Sequence, residues 1–196
     1  MGQNVRARSR EILRAELAAA AMDYVAEVGF DHATAEQIAQ GIGVSRATFF
    51  RYFGSKEDAL VSAARVVPMS VTDCFRAVDA EAGSTAWSTL RRAFAPLAEA
   101  VDANPAVLRR RRHLIAEAAP LRARLVSMNV KEWTELADAL GERISDPFAA
   151  RAVAAAAGAA LELAWHAWLR DESAEFAHEL DRAFEAMSTA FSITLG

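Results

Sequence analysis

An all-α fold is what this 196-residue chain predicts, and three observations carry it. Apolar residues recur at helical rather than alternating spacing along most of its length. Much of the 53% hydrophobic content is alanine, which loses no side-chain entropy in a helix. The 9 glycines and 5 prolines are few and spaced, as helix punctuation is.

The first helix is expected from about Ser9 to Val28, with Ile12, Leu17, Ala20, Ala21, Tyr24 and Val28 as its apolar stripe and Gly29 as its stop. Thr34 opens a short second helix, and Thr34 with Gln37 fits a capping box. That helix carries Ile38 and Ala39 and stops at Gly41 to Gly43. Ser45 caps a third helix running to about Tyr52, and Ser55 with Asp58 forms a second capping box at the start of a fourth. The fourth is expected to run past Leu60 and Val67, with Pro68 as a kink or split. A helix from near Ser84 aligns Trp87, Leu90, Phe94, Leu97 and Val101 and holds Pro96 as an interior kink. Asn104-Pro105 and Asp146-Pro147 each place a capping residue before a proline at the first helical position. Pro120 starts the segment with Leu121, Leu125, Met128, Trp133, Leu136 and Leu140. Helices over about 147–169 and 174–193 complete roughly nine, with no strand, repeat or low-complexity linker.

The single cysteine, Cys74, excludes an intramolecular disulfide and fits a reducing cytoplasm. The arginine-bearing start lacks a following apolar run and cleavage site, so no secretory signal is expected. Residues 152–169 resemble a membrane span, but they depend on alanine and include Glu162 and His166, which favours a buried helix and no membrane. The net charge of −4 argues against a sequence-blind nucleic-acid coat. Its distribution is uneven. Arg6, Arg8, Arg10 and Arg14 stand against Glu11 alone, and Arg46, Arg51 and Lys56 lie in an acid-free stretch over 45–56. Residues 67–196 hold 14 basic and 18 acidic side chains. Two basic spots near one end suit a small module that touches phosphates. For the N-terminal arginines, a disordered basic tail and a minor-groove or backbone contact both remain open.

Two short helices around a glycine turn make a helix-turn-helix. Ile38, Ala39, Val44 and Phe49 can pack its helices together, Gly43 permits a positive φ, and Ser45 caps the second helix. The exposed start of that helix, Arg46 and Ala47, is expected to face base edges in a major groove of double-stranded DNA. Thr48, Tyr52 and Lys56 lie on the flank that meets phosphates, and Thr34, Ser45, Phe50 and Arg51 complete the candidate DNA-binding set. Phe49 and Phe53 are expected in the core.

The run Ile38-Ala39, Gly43-Val44-Ser45 and Thr48 through Leu60 resembles the DNA-binding domain of the TetR family of bacterial transcription regulators over about residues 9–60. Members often carry tyrosine where Phe50 stands and histidine where Tyr52 stands. Phe50 has no hydroxyl for a phosphate, although its ring can touch a thymine methyl. The resemblance implies a DNA-binding domain over 1–56 and a ligand-binding and dimerisation domain over 57–196. It also implies a homodimer joined through the last two helices, and a small-molecule effector that shifts the separation of the heads and releases an operator.

Within 57–196, the small-residue run 152–160 suits close helix packing, in a dimer interface or in the chain's own core. Phe176, Leu180, Phe184, Met187 and Phe191 form a stripe on the last helix that exceeds what a monomer need expose, with an intramolecular core helix as the alternative. Trp87, Phe94, Trp133 and Trp165 are candidate residues of an apolar effector pocket, with core packing as the alternative for each. Arg109 to Arg112 cannot share one helix face, so a salt-bridged surface, an anionic effector head and non-specific DNA contact all stay open. The stretch from Arg109 through Trp133 loosely resembles TetR-like domains that bind long acyl-CoA molecules.

Glu162 with His166, and His113 with Glu117, are spaced i, i+4, but without a cysteine cluster no metal site is expected, nor any cofactor. Gly41 and Gly43 belong to the turn and follow no strand, so they are no dinucleotide fingerprint. Neither a nucleophile elbow nor a phosphate loop is present, and catalysis is not expected. The reading is a ligand-responsive repressor. A helical carrier of an apolar metabolite and an enzyme are its competitors.

Overall fold

The computed structural model describes residues 2–65, 67, 69–79 and 83–189, the first seven of them by backbone alone. Among these residues there are eleven helices and no strand. They are α1 (Gly2–Val28), α2 (Ala35–Gly41), α3 (Arg46–Tyr52), α4 (Lys56–Ser62), α5 (Val71–Ala77), α6 (Ala86–Ala93), α7 (Ala95–Ala103), α8 (Pro105–Glu117), α9 (Ala119–Gly141), α10 (Pro147–Arg170) and α11 (Phe176–Thr189). Two helices beyond the expected nine arise where proline-bearing segments divide. Pro96 does not kink one long helix but opens α7, because it has no N–H to donate and its ring opposes the carbonyl one turn back. The expected kink at Pro68 and the end of the last helix, with Phe191 and Ile193, lie outside the described residues.

The chain forms two compact units, residues 1–68 with 105–127, and residues 69–104 with 128–196. In the first, α1 packs on α2, α4 and α8. The buried face of α1 is Leu17, Ala18, Ala21, Met22 and Val25, which shares Leu17 and Ala21 with the expected stripe, and Tyr24 is half-buried. Ile12, Ala20 and Val28 are exposed.

Helix α4 ends at Ser62, short of the expected Val67. The chain winds down there through i→i+3 bonds from Ala64 to Val61 and from Arg65 to Ser62. The Ala63 carbonyl accepts from Arg111 Nη1 of α8 at 3.2 Å, so a side chain from elsewhere satisfies what a further turn otherwise would. At the other end of α4, the Ser55 hydroxyl accepts from Asp58 N at 3.0 Å, and the Asp58 carboxylate turns to the guanidinium of Arg124 on α9. Arginines from distant sequence thus hold both ends of a seven-residue helix.

In the second unit α11 packs against α10 and α7. Phe176, Leu180 and Phe184, for which an interface stripe was favoured over a core helix, are buried inside this unit, and Met187 is half-buried. Phe176 lies between Trp165 and Trp168, with ring centroids 4.2 and 5.8 Å away. Asp102 of α7 caps the start of α11, its two carboxylate oxygens accepting from Phe176 N at 2.6 Å and Ala177 N at 3.0 Å. Asp146 caps α10 through Phe148 N at 2.9 Å, with Pro147 at the first position as expected.

By length and composition α10 could cross a membrane, yet it buries Ala150, Ala154, Ala157, Leu161, Trp165 and Trp168 within its own unit. Gly158 is needed there, since a Cβ at this position would lie 2.9 Å from the Trp133 ring. Burial, with the charges of Asp73 and Glu132 adding to it, pushes the Cys74 thiol above its ordinary pKa and keeps it protonated at neutral pH.

Candidate nucleic-acid interface

Local chemistry builds the α2–turn–α3 segment. The Thr34 hydroxyl accepts from Gln37 N at 3.2 Å, and Gln37 Oε1 accepts from Thr34 N at 2.9 Å, so the capping box is complete. Between the helices Gly43 takes φ +75°, open to glycine without strain. Gly43 N donates to Gln40 O and Val44 N to Ala39 O, which closes the turn on the last carbonyls of α2. The Ser45 hydroxyl then accepts from Thr48 N at 3.1 Å and donates to Thr48 Oγ1 at 3.0 Å.

This turn sets the facing of α3. Phe49 and Phe53 are buried, their centroids 5.3 Å apart, while Arg46, Ala47, Phe50 and Arg51 are exposed. Arg46 pairs with Glu36 of α2 at 2.9 Å and lies 5.6 Å from the Phe50 ring centre, so its guanidinium is steadied at the open end of the helix. Ser45 and Thr34 are exposed and Thr48 and Tyr52 half-buried, with the hydroxyls of the first three engaged in caps. Thr34 thus stands at the start of α2 and the other members at the cap of α3 and along it, with one member set apart.

That member is Lys56. Its Nζ donates to Phe30 O at 3.0 Å and Ala33 O at 3.1 Å and sits 4.0 Å from the Phe30 ring centre. The ammonium ties the start of α4 to the loop between α1 and α2, which leaves one of its three donors. Lys56→Ala is expected to lower the stability of the first unit by about 1.5–3 kcal/mol, the range for hydrogen bonds to a charged group. A denaturant titration checks this; an unchanged midpoint would show that the strut carries no weight.

The candidate effector residues divide among three places in the second unit. Phe94 is fully buried beside Phe184, and Trp87 stacks on the same ring at 4.4 Å while its Nε1 donates to Phe184 O at 3.1 Å. Trp133 lies on Gly158, and Trp165 belongs to the buried cluster around Phe176. Arg111 of the four-arginine run is engaged with Ala63 and approaches Asp23 at 4.0 Å. Periodicity could not reveal this contact, because its partners lie far off in the chain.

Residues 17–64 match the family described as bacterial regulatory proteins, tetR family, and residues 84–192 match the MftR C-terminal domain. The HTH-type transcriptional regulator TcmR of Streptomyces glaucescens is 35% identical over 72 residues, which are 37% of this chain and 30% of that protein. NalD of Pseudomonas aeruginosa superposes with TM-score 0.59 over 89% of this chain and 94% of its own, at 19% identity. A protein assigned to the TetR-family transcriptional regulators in Mesorhizobium loti does so with TM-score 0.52 over 94% and 98%, at 16% identity. At such identities the two structures share the fold alone. The two sequence matches together span the helix-turn-helix and more than half of the chain, and the chain belongs to the TetR family of bacterial transcription regulators.

Proposed function

We infer that the protein is a cytoplasmic repressor that binds a near-palindromic operator as a homodimer and leaves it when a small, mostly apolar effector, acyl-CoA-like in chemistry, occupies the second unit. The observation that carries this reading is the division of α3. Phe49 and Phe53 anchor it while Arg46, Ala47 and Phe50 are presented outward at its capped, acid-free start. A helix so mounted suits entry into a major groove, with Arg46 as the base-reading donor and Thr34, Ser45, Thr48, Arg51 and Tyr52 along the backbone flank. Lys56 supports the backbone flank through the loop that it holds.

The effector reading draws on the aromatic content of the second unit and on the fold shared with NalD, whose own description is secondary repressor of the MexAB-OprM multidrug efflux pump. Dimerisation through α10 and α11 draws on the face of α10 that its own unit leaves uncovered, Phe148, Ala152, Ala155, Ala159 and Leu163.

The test is selection of bound duplexes from a random library at about 150 mM salt, where non-specific phosphate binding is already weak. A short inverted repeat is expected. Arg46→Ala is expected to lose discrimination between that repeat and its point variants, by roughly tenfold or more per half-site. Recovery of no sequence above background would sink the repressor reading, and an Arg46→Ala protein with intact sequence preference would displace the base-reading role from this residue.

A further inference from the structure

Four arginines of α1 and α3 have described side chains, and they fall into two pairs. Arg14 and Arg46 have partners. Arg14 approaches Glu11 at 3.7 Å and donates to the Ser62 hydroxyl at 3.1 Å, and Arg46 holds Glu36. Arg10 and Arg51 have neither a carboxylate nor a hydrogen-bond partner among the described residues. Both are exposed, and both lie against the same ring. The guanidinium carbons of Arg10 and Arg51 are 5.9 and 5.4 Å from the centre of Tyr52, the last residue of α3.

Two like charges thus lie against one ring, and no described carboxylate is paired with either. The ring attracts each cation and limits its rotamers, so less freedom is lost when an anion arrives. Each guanidinium offers a planar fork of donors that matches phosphate oxygens, and the Tyr52 hydroxyl is a further donor. The cluster stands at the end of α3 opposite Arg46, where a helix seven residues and about 10 Å long would hand over from base edges to the strand backbone.

We propose that Arg10, Arg51 and Tyr52 form a clamp for one backbone phosphate of the operator, so that α1 is itself part of the DNA-binding surface. The proposal rests on the reading of α3 as the recognition helix. The clamp reads no base. It fixes the register in which Arg46 meets the groove, a division of labour general to protein–DNA contacts.

The experiment is a walk of single neutral methylphosphonates through one half-site of the selected operator, with the full-length protein and its Arg10→Ala and Arg51→Ala variants. In the unsubstituted protein one phosphate is expected to cost on the order of tenfold in affinity when neutralised. At that same position both variants are expected to show little further loss. Both side chains are exposed, so melting temperatures should be unaltered, which separates lost contact from lost fold. If Arg10→Ala stays as sensitive as the unsubstituted protein at every phosphate, or if the two variants become insensitive at different phosphates, the clamp is refuted while the repressor reading stands. If no operator is recovered at all, the reading beneath it fails first.

Discussion

Phe49→Ala is expected to destabilise the first unit by about 3–5 kcal/mol, the range for emptying a buried phenylalanine site, and to abolish operator binding. Its neighbour Phe50→Ala should leave the denaturation midpoint nearly unchanged and weaken binding alone. Successive helical residues turn by about 100°, so two identical side chains one position apart meet different surroundings. Phe49 is 0% exposed, with the rings of Phe50 and Phe53 at 5.6 and 5.3 Å, and its removal leaves a cavity where α3 is anchored. Against a total stability of about 5–15 kcal/mol, that loss populates the unfolded head substantially. Phe50 is 40% exposed, and its ring lies 5.6 Å from the Arg46 guanidinium. Its removal takes away a support for Arg46 and a surface for a thymine methyl, but little core. The pair of variants is compared by urea titration and by operator binding. If Phe50→Ala destabilised as strongly as Phe49→Ala, α3 would be seated differently, and Arg46 and Ala47 would no longer be its outward residues.

The features legible in the sequence were those whose partners lie within one helical turn. Thr34 and Gln37, Ser45 and Thr48, and Asp146 and Phe148 are two or three residues apart, and the hydroxyl or carboxylate meets the expected N–H in each case. The positive φ at Gly43 belongs to the same class. Aromatic spacing likewise marked Phe49 and Phe53 as core. What periodicity could not supply was any fact that depends on a second element. On α1, where alanines blur the stripe, the buried row is decided by α2 and α4 rather than by the helix itself. The end of α4 depends on Arg111, 48 residues on, and Asp58 is drawn from its own cap by Arg124, 66 residues on. Lys56 had the composition of a phosphate contact, and only the position of the Phe30 and Ala33 carbonyls reveals its second task. On α11 the stripe of Phe176, Leu180 and Phe184 was correctly read as apolar, but spacing alone left interface and core both open, and the core is where these three lie. That depends on Trp165, Trp168 and the other aromatics packed against it.

The burial of that stripe moves the dimerisation argument onto α10, where it yields the other large expected effect. Phe148, Ala152, Ala155, Ala159 and Leu163 are spaced by three or four residues and remain exposed, Phe148 by 80% and Leu163 by 46%. Three alanines in such a row let a second helix approach to about 8 Å, at the close end of the usual range. Ala159→Arg places a long charged side chain in the middle of that approach. Arginine is a good helix former and the site is open to solvent, so a single chain has no reason to lose its fold. The expected outcome is a protein that sediments as a monomer at micromolar concentration. It should bind the inverted repeat at least about a hundredfold more weakly, because the two half-sites are no longer engaged by one linked pair of heads. Its affinity for an isolated half-site should be unaltered. Ala157→Arg, two residues away but 0% exposed, should instead unfold the second unit, since the charge would have to enter the core beneath the same helix. A dimeric Ala159→Arg protein would remove α10 from the interface, and operator affinity lost without dissociation would mean that the arginine acts on the heads by some route other than their pairing.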